Sequence, residues 1–204
     1  MRPLPAPTCP TTRRAGDTHH MALRIKSHWQ NEDIERSLIE VGGALAFIAF
    51  RIATDKAITL HCERFVYRDD AQRMRVIQEY VIFLIQIADR LAHDMLDDER
   101  RRELITAVAR KAVEHVQDNS QDLMGPDDYG TPFIRRLNER SSEYAELQMD
   151  DEGPSYSFLR HLGFEIQQLM GEQEENRWVI DQVMDKDGWD AYKRFAKAFR
   201  DLFE

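Results

Sequence analysis

The stretch YVIFLIQIADRLAHDML, residues 80–96, begins with six consecutive apolar side chains and ends among charged ones. On a helical wheel, one face carries the apolar residues Ile77, Val81, Leu84, Ala88, Leu91 and Met95. The roughly opposite side carries the polar residues Gln78, Gln86, Asp89 and His93. Ile82 and Phe83 also lie toward that polar side and need a cover of their own. The stretch predicts a packed helix whose end reaches water and whose middle is covered by a smaller helix or by a second copy of the chain.

The residues around this stretch show the same helical period. A first helix is predicted from an N-cap near Asn31, and its apolar positions recur at spacings of three and four up to Ile52. GGALAFIAF, residues 42–50, is apolar on every side, which indicates the central helix of a bundle, and its glycine pair predicts a kink or a close helix contact. A second helix is predicted from a cap at Asp69 or Asp70 to Leu96. A third follows from Asp97 to Leu123, completing a long antiparallel three-helix core.

Smaller helices are predicted around this core. A loop at residues 124–133 is rich in glycine, proline and aspartate, and Thr131 followed by proline is typical of a helix start. That fourth helix is expected to end near Met149, a fifth near Leu169, and an amphipathic C-terminal helix to begin at Trp189. Since no alternating strand pattern occurs, the fold class is all-α: a multi-helix bundle in which residues 31–204 form a single domain.

Charge and cysteine content restrict the classes of function. Residues 1–30 carry five basic residues and one acidic residue, a net charge of +4. Because the formal net charge of the whole chain is −9, residues 31–204 carry a net charge of −13. An acidic body argues against nucleic acid and against anionic membrane surfaces as partners. The longest apolar run, residues 41–50, is too short for a transmembrane segment. Two cysteines, Cys9 and Cys62, fit a reducing compartment, so a cytoplasmic location is expected, with residues 1–30 as a disordered tail or leader.

Asp89 and His93 are the weak candidates for a metal or acid–base site, because their spacing places them on one helix face. The other histidines of the core, His61 and His115, are expected far from them along the bundle. Hydrogen bonding at a helix end is the favoured interpretation, and no catalytic residue, metal or cofactor is predicted. His161 and Glu165 have the same spacing and are interpreted as a surface or boundary pair without a catalytic role.

The closing helix has an aromatic stripe formed by Trp189, Tyr192, Phe195, Phe199 and Phe203. Basic residues lie between them, so the helix could dock on its own bundle, on another protein or on a membrane surface. The first alternative explains the pattern best, and a membrane contact is the least expected. The stripe, together with Ile82 and Phe83, supplies the interface candidates.

Two hypotheses of function follow. The first is a non-enzymatic protein-interaction or regulatory module that acts through a protein partner or as a homodimer. The second is an enzyme or a protein that binds a small ligand, a metal or an apolar molecule such as a lipid, in a pocket inside the bundle. Its lining would combine aromatic and polar side chains: Phe47, Phe50, Tyr80, Phe83, Arg51, Asp89 and His93.

Overall fold

A computed structural model describes residues 37–171 and 173–203. Within these ranges the helices are α1 (Leu38–Cys62), α2 (Asp70–His93), α3 (Asp98–Met124), α4 (Gly130–Ala145), α5 (Tyr156–Met170), α6 (Val179–Gln182) and α7 (Gly188–Phe203). A single 3₁₀ turn spans Glu174–Asn176, and a π-helical turn, Val183–Asp187, joins α6 to α7. The all-α prediction is confirmed. The predicted tail with Cys9, and the predicted helix start near Asn31, lie outside the described residues.

Side-chain caps define where the three long helices begin. The Ser37 hydroxyl accepts a hydrogen bond from the backbone N–H of Glu40, whose carboxylate accepts one from the Ser37 N–H, forming a capping box at α1. Asp69 caps α2 by accepting from the Gln72 N–H at 2.7 Å. Asp97 caps α3 in the same way, so the helix starts predicted at Asp69 and Asp97 are confirmed.

The start and end of α4 differ from the prediction. Thr131 is not the N-cap, because the helix begins at Gly130. The Gln117 side chain of α3 accepts hydrogen bonds from the backbone N–H groups of Tyr129 and Gly130, both at 2.8 Å, and so caps α4 from outside. At the other end, α4 stops at Ala145, because a two-stranded hairpin, β1 (Met149–Asp150) with β2 (Gly153–Pro154), replaces the predicted helix end.

The three long helices form the predicted core. α1 and α3 are parallel, because Gly42 lies beside Ala107 and Phe50 packs against His115 further along both helices. Short turns join α2 to each of them, so α2 runs antiparallel to both. A Cβ atom on Gly42 would lie 2.6 Å from the Ala107 Cβ and 3.1 Å from the Val108 nitrogen. The glycine therefore permits close approach of α1 and α3, and α1 continues through it as a helix.

The central helix is α2, so the prediction that GGALAFIAF forms the centre is wrong. Residues 76–85 are all buried, and α2 contacts α1, α3, α4, α5 and α7. In α1, by contrast, the Phe47 side chain is 49% exposed. A ten-residue buried run on one helix requires neighbours on every side, which is why the smaller helices gather around α2.

A buried cation ties the last helix to the first. Lys56 of α1 is almost fully buried, and its Nζ lies 3.4 Å from an Asp187 carboxylate oxygen and 2.5 Å from an Asp190 oxygen. Burial raises the pKa of Asp187 above its usual range, against the opposing effect of Lys56. Burial acts on Asp190 too, but the hydrogen bond and charge of Lys56, with the charge of Arg194, outweigh it and lower that pKa.

The two adjacent glycines of α1 give a matched test of the α1–α3 contact. A Cβ on Gly43 would find its nearest neighbour at 3.9 Å, so Gly43→Ala should stabilise the helix by about 1 kcal/mol. Gly42→Ala gains the same helix propensity but pushes α3 away, which costs about 1–3 kcal/mol. We expect Gly42→Ala to be less stable than Gly43→Ala by about 2 kcal/mol in urea denaturation. Equal stability of the two variants would show that the helices are not in close contact here.

The opposite pKa shifts of Asp187 and Asp190 give a pH-dependent test. Between the unfolded pKa of about 3.9 and its raised native pKa, Asp187 binds protons more tightly in the native state. It therefore lowers the free energy of unfolding as the pH rises through that window. Asp190 contributes stability above about pH 3.9 that is lost as the pH falls through its lowered native pKa. In denaturation curves from about pH 3 to pH 7, the free energy of unfolding of Asp187→Asn should rise relative to that of the wild type as the pH increases. That of Asp190→Asn should fall relative to the wild type. Parallel trends in the two variants would contradict this assignment.

Candidate functional site

A groove of about 720 Å³ lies between α3 and α4, with the C-terminal half of α2 as its floor. Its apolar lining consists of Ile85, Ile105, Ala109, Val113, Ile134 and Leu137. The groove exists because small side chains face each other across it, among them Thr106 of α3 and Ser141 and Ala145 of α4. Along α3 the lining residues recur at spacings of three and four from Asp98 to Val113, about 22 Å. A volume of this size lies within the range of known ligand sites.

Four arginines lie along the groove, and they fall into two groups. Arg90 donates to the Tyr144 and Leu147 carbonyl oxygens at 3.0 and 3.4 Å, and Arg101 contacts Asp89 at 3.6 Å, so both hold helix ends together. Arg102 and Arg110 are exposed, and no carboxylate oxygen of the described residues lies within 4.0 Å of either guanidinium. The groove lining therefore carries four arginines against two carboxylates, Asp89 and Asp98, in a protein whose formal net charge is −9.

Asp89 and His93, the sequence candidates for a metal, both contact Arg101. The guanidinium donates to His93 Nδ1 at 2.9 Å, and its Nε lies 3.6 Å from the Asp89 carboxylate. A group with three metal-ligating side chains does not form around this pair in residues 37–171 and 173–203. The geometry favours helix-end hydrogen bonding at the α2–α3 turn.

Ile82 and Phe83, predicted as contacts for a partner, lie inside the chain's own core. Both are 0% exposed, and the Phe83 ring centroid lies 5.7 Å from that of Phe158 in α5 and 6.5 Å from that of Tyr144 in α4. The smaller helices therefore provide the cover that the sequence required. These two residues are corrected from interface candidates to core residues.

The aromatic stripe of α7 also docks on its own bundle. Phe195 and Phe199 are fully buried, Tyr192 is nearly so, and Trp189 and Phe203 are partly buried. A Cβ on Gly153, the first residue of β2, would lie 2.6 Å from Tyr192 Cε1, so the hairpin closes over the start of α7. Little of the stripe remains for a second protein.

The pocket expected inside the bundle is not formed by its predicted aromatic residues. Tyr80 and Phe83 are packed in the core, whereas Phe47 is exposed and Phe50 half-buried. Phe47 and Phe50 pack against the His115 ring instead, at centroid distances of 6.0 and 5.8 Å. These residues do not converge on one cavity.

A network of ion pairs joins α2, α4 and α5 at the far side of α4. Glu79 of α2 is 2% exposed, and its carboxylate lies 3.2 Å from Arg140 Nε and 3.7 Å from Arg136 Nε, both from α4. Arg140 also contacts Glu143, at 2.9 Å, and Glu165 of α5. Burial raises the pKa of Glu79, and the two arginines oppose that shift.

His161 extends this network through a contact with α4 that was not predicted from the sequence. Its Nε2 lies 3.1 Å from a Glu143 oxygen, so the pair His161 and Glu165 acquires a third member from α4. The spacing of four residues was the available signal for the pair. The contribution of Glu143 depends on how α4 packs against α5, which local spacing does not encode.

No family model, curated protein or solved structure matches the chain. None of the helices in the described part of the chain has the length and apolar character that a membrane crossing requires. The groove and the ion network are therefore the features from which function is inferred.

Removing one arginine tests whether the network stabilises the fold. Arg140→Met takes the closest cation from buried Glu79 and leaves Arg136 at 3.7 Å, so we expect a loss of about 3 kcal/mol in the free energy of unfolding. Arg135→Met, at an exposed neighbouring position, should change it by less than about 0.5 kcal/mol. Similar effects of the two substitutions in urea denaturation would show that the network is not a stabilising contact.

Proposed function

We propose that this protein is a non-enzymatic protein-interaction module that binds an acidic amphipathic helix of a partner protein in the α2–α3–α4 groove. The observation that carries the proposal is the pair Arg102 and Arg110, which lie beside an apolar groove without acidic partners among the described residues. A regulatory role and a cytoplasmic location belong to the same proposal.

The dimensions and surface of the groove support a helix as the ligand. A length of about 22 Å corresponds to about 15 helical residues, or four turns. Apolar side chains on one face of such a helix would bury against Ile105, Val113 and Ile134, of which Ile134 is 44% exposed. Recognition of an amphipathic helix by an apolar groove is a recurrent mode of protein binding.

Charge supports an acidic partner over a basic one or a nucleic acid. The formal net charge of the chain is −9, so an acidic helix is repelled by most of the surface and attracted at the groove. Such a pattern gives orientation and specificity, because wrong docking positions are penalised electrostatically. A nucleic acid would require a much larger positive surface to neutralise several phosphates.

Self-association is the competing occupant of the groove. The sequence argument for a homodimer depended on Ile82, Phe83 and the aromatic stripe of α7, and most of these side chains are covered within the chain. A partner helix is therefore the occupant that we advance, and a second copy of the chain is an outcome of the test. The hypothesis of an enzyme or small-ligand protein has less support, since its predicted pocket residues do not converge.

A designed peptide tests the groove directly. A fluorescent helix of about 15 residues, with leucines on one face and glutamates on the other, would be titrated with the full chain by fluorescence anisotropy. Arg102→Glu/Arg110→Glu should weaken binding at least about tenfold, since two attractive contacts become repulsive. Arg135→Glu/Arg160→Glu carries the same charge change at exposed positions that do not line the groove and should bind nearly as the wild type does.

Two results would overturn the proposal. A matched peptide with lysines in place of glutamates should bind weakly, and equal binding of the two peptides would remove the electrostatic argument. Sedimentation analysis provides the second result. A dimer of the wild type that the Arg102→Glu/Arg110→Glu variant cannot form would assign the groove to self-association.

A further inference from the structure

The structure assigns a second candidate site, apart from the groove, to Glu143 of α4 and His161 and Glu165 of α5. We propose that these three side chains bind a zinc ion at the α4–α5 contact. A ring nitrogen of His161, a carboxylate oxygen of Glu143 and a carboxylate oxygen of Glu165 all lie within 4.8 Å of one another. Nitrogen and carboxylate oxygen are donor types that zinc accepts, and three protein ligands leave a fourth position for water.

The closest distance in the cluster fits two ligands of one metal. Zinc bonds of about 2.0–2.1 Å in a tetrahedral arrangement place two ligand atoms about 3.3 Å apart. His161 Nε2 and Glu143 Oε2 are 3.1 Å apart. Both atoms already lie near the separation that a shared ion would impose, so only small side-chain adjustments are needed.

His161 Nε2 makes no hydrogen bond in the described structure. The atom is buried, and its contact with Glu143 Oε2 at 3.1 Å is an ion pair only when the imidazole is protonated. The side chain as a whole is 18% exposed, and its ring packs edge-on against Tyr144 at a centroid distance of 4.7 Å. A buried nitrogen without a partner is costly, and a metal ion would satisfy it.

Arg140 is compatible with this site and orients two of its ligands. It contacts both Glu143 and Glu165, yet a carboxylate has about four lone-pair positions, so each can bind an ion while accepting from the guanidinium. Hydrogen bonds of this kind commonly hold metal-ligating carboxylates in place. With Glu79 and Arg136 included, three carboxylates face two guanidinium groups, and the excess negative charge favours a dication.

Zinc is preferred over calcium or magnesium because of the donor set. Calcium and magnesium take six or more ligands, nearly all oxygen, whereas imidazole nitrogen favours zinc and related transition metals. Asp89 and His93 offer a comparison within the same chain. They have a nitrogen and a carboxylate too, but share an arginine and have no third ligand among the described residues.

Isothermal titration of the metal-free full chain with zinc chloride tests the proposal. We expect one zinc per chain, and His161→Gln should weaken binding by at least about 100-fold, because even outer-shell changes cost 10–100-fold. His93→Gln is the matched control and should bind as the wild type does. A variant with His19→Ala and His20→Ala should also retain binding, since neither residue is one of the three proposed ligands. Cobalt absorption should report tetrahedral coordination in the wild type and lose it in His161→Gln.

A second ligand variant distinguishes loss of zinc binding from loss of the fold. Glu143 is partly exposed, so Glu143→Gln should keep the fold while weakening zinc binding at least about tenfold. Absence of zinc binding by the wild type would overturn the proposal. Binding that persists in both His161→Gln and Glu143→Gln would overturn it as well, because the ion would then lie elsewhere.

Discussion

The structure depends on the need to surround α2 on every side. Residues 76–85 of this helix are buried without interruption, so apolar neighbours are required around its whole circumference. α1 and α3 supply one part of that cover, α4 and α5 another, and α7 completes it. One carboxylate, Glu79, is buried within this run, and it makes the position of α4 specific, since only α4 brings Arg136 and Arg140 to it.

Both candidate sites follow from the position of α4. One face of the helix, with Ile134 and Ser141, lines the groove, while another, with Arg140 and Glu143, belongs to the ion network. A helix of four turns bends little. The pairing of Arg140 with Glu79 therefore fixes the groove face and the network face of α4 at the same time. The buried contact of Glu79 with Arg140 therefore contributes to the position of both the groove and the network.

Much of the helical framework could be predicted from local signals. The cap of α2 could be narrowed to Asp69 or Asp70, and the start of α3 could be placed at Asp97, because a capping side chain bonds to its own helix a few residues away. The glycine pair in α1 predicted either a kink or a close helix contact, and the contact at Gly42 is the second of these. The start of α4 could not be found this way, since its cap, Gln117, belongs to another helix.

The candidate site shows the same difference between contacts within one helix, which the sequence predicts, and contacts between helices, which it does not. His161 and Glu165 are visible as a pair because they lie on one helix face, but Glu143 joins them only through tertiary packing. The choice of α1 as the central helix failed for a related reason. Ten apolar residues in a row show that a helix can be buried, while the number of neighbours that it obtains depends on the remaining chain.

The contact of Lys56 with Asp187 has a consequence for biosynthesis. These residues are 131 positions apart in the chain, and α7, which follows Asp187 directly, covers parts of both α1 and α2. On the ribosome, the core helix therefore keeps an uncovered apolar side until α7 has been synthesised. Nascent chains that end before α7 expose this surface, and such chains are the ones most prone to aggregate or to need a chaperone.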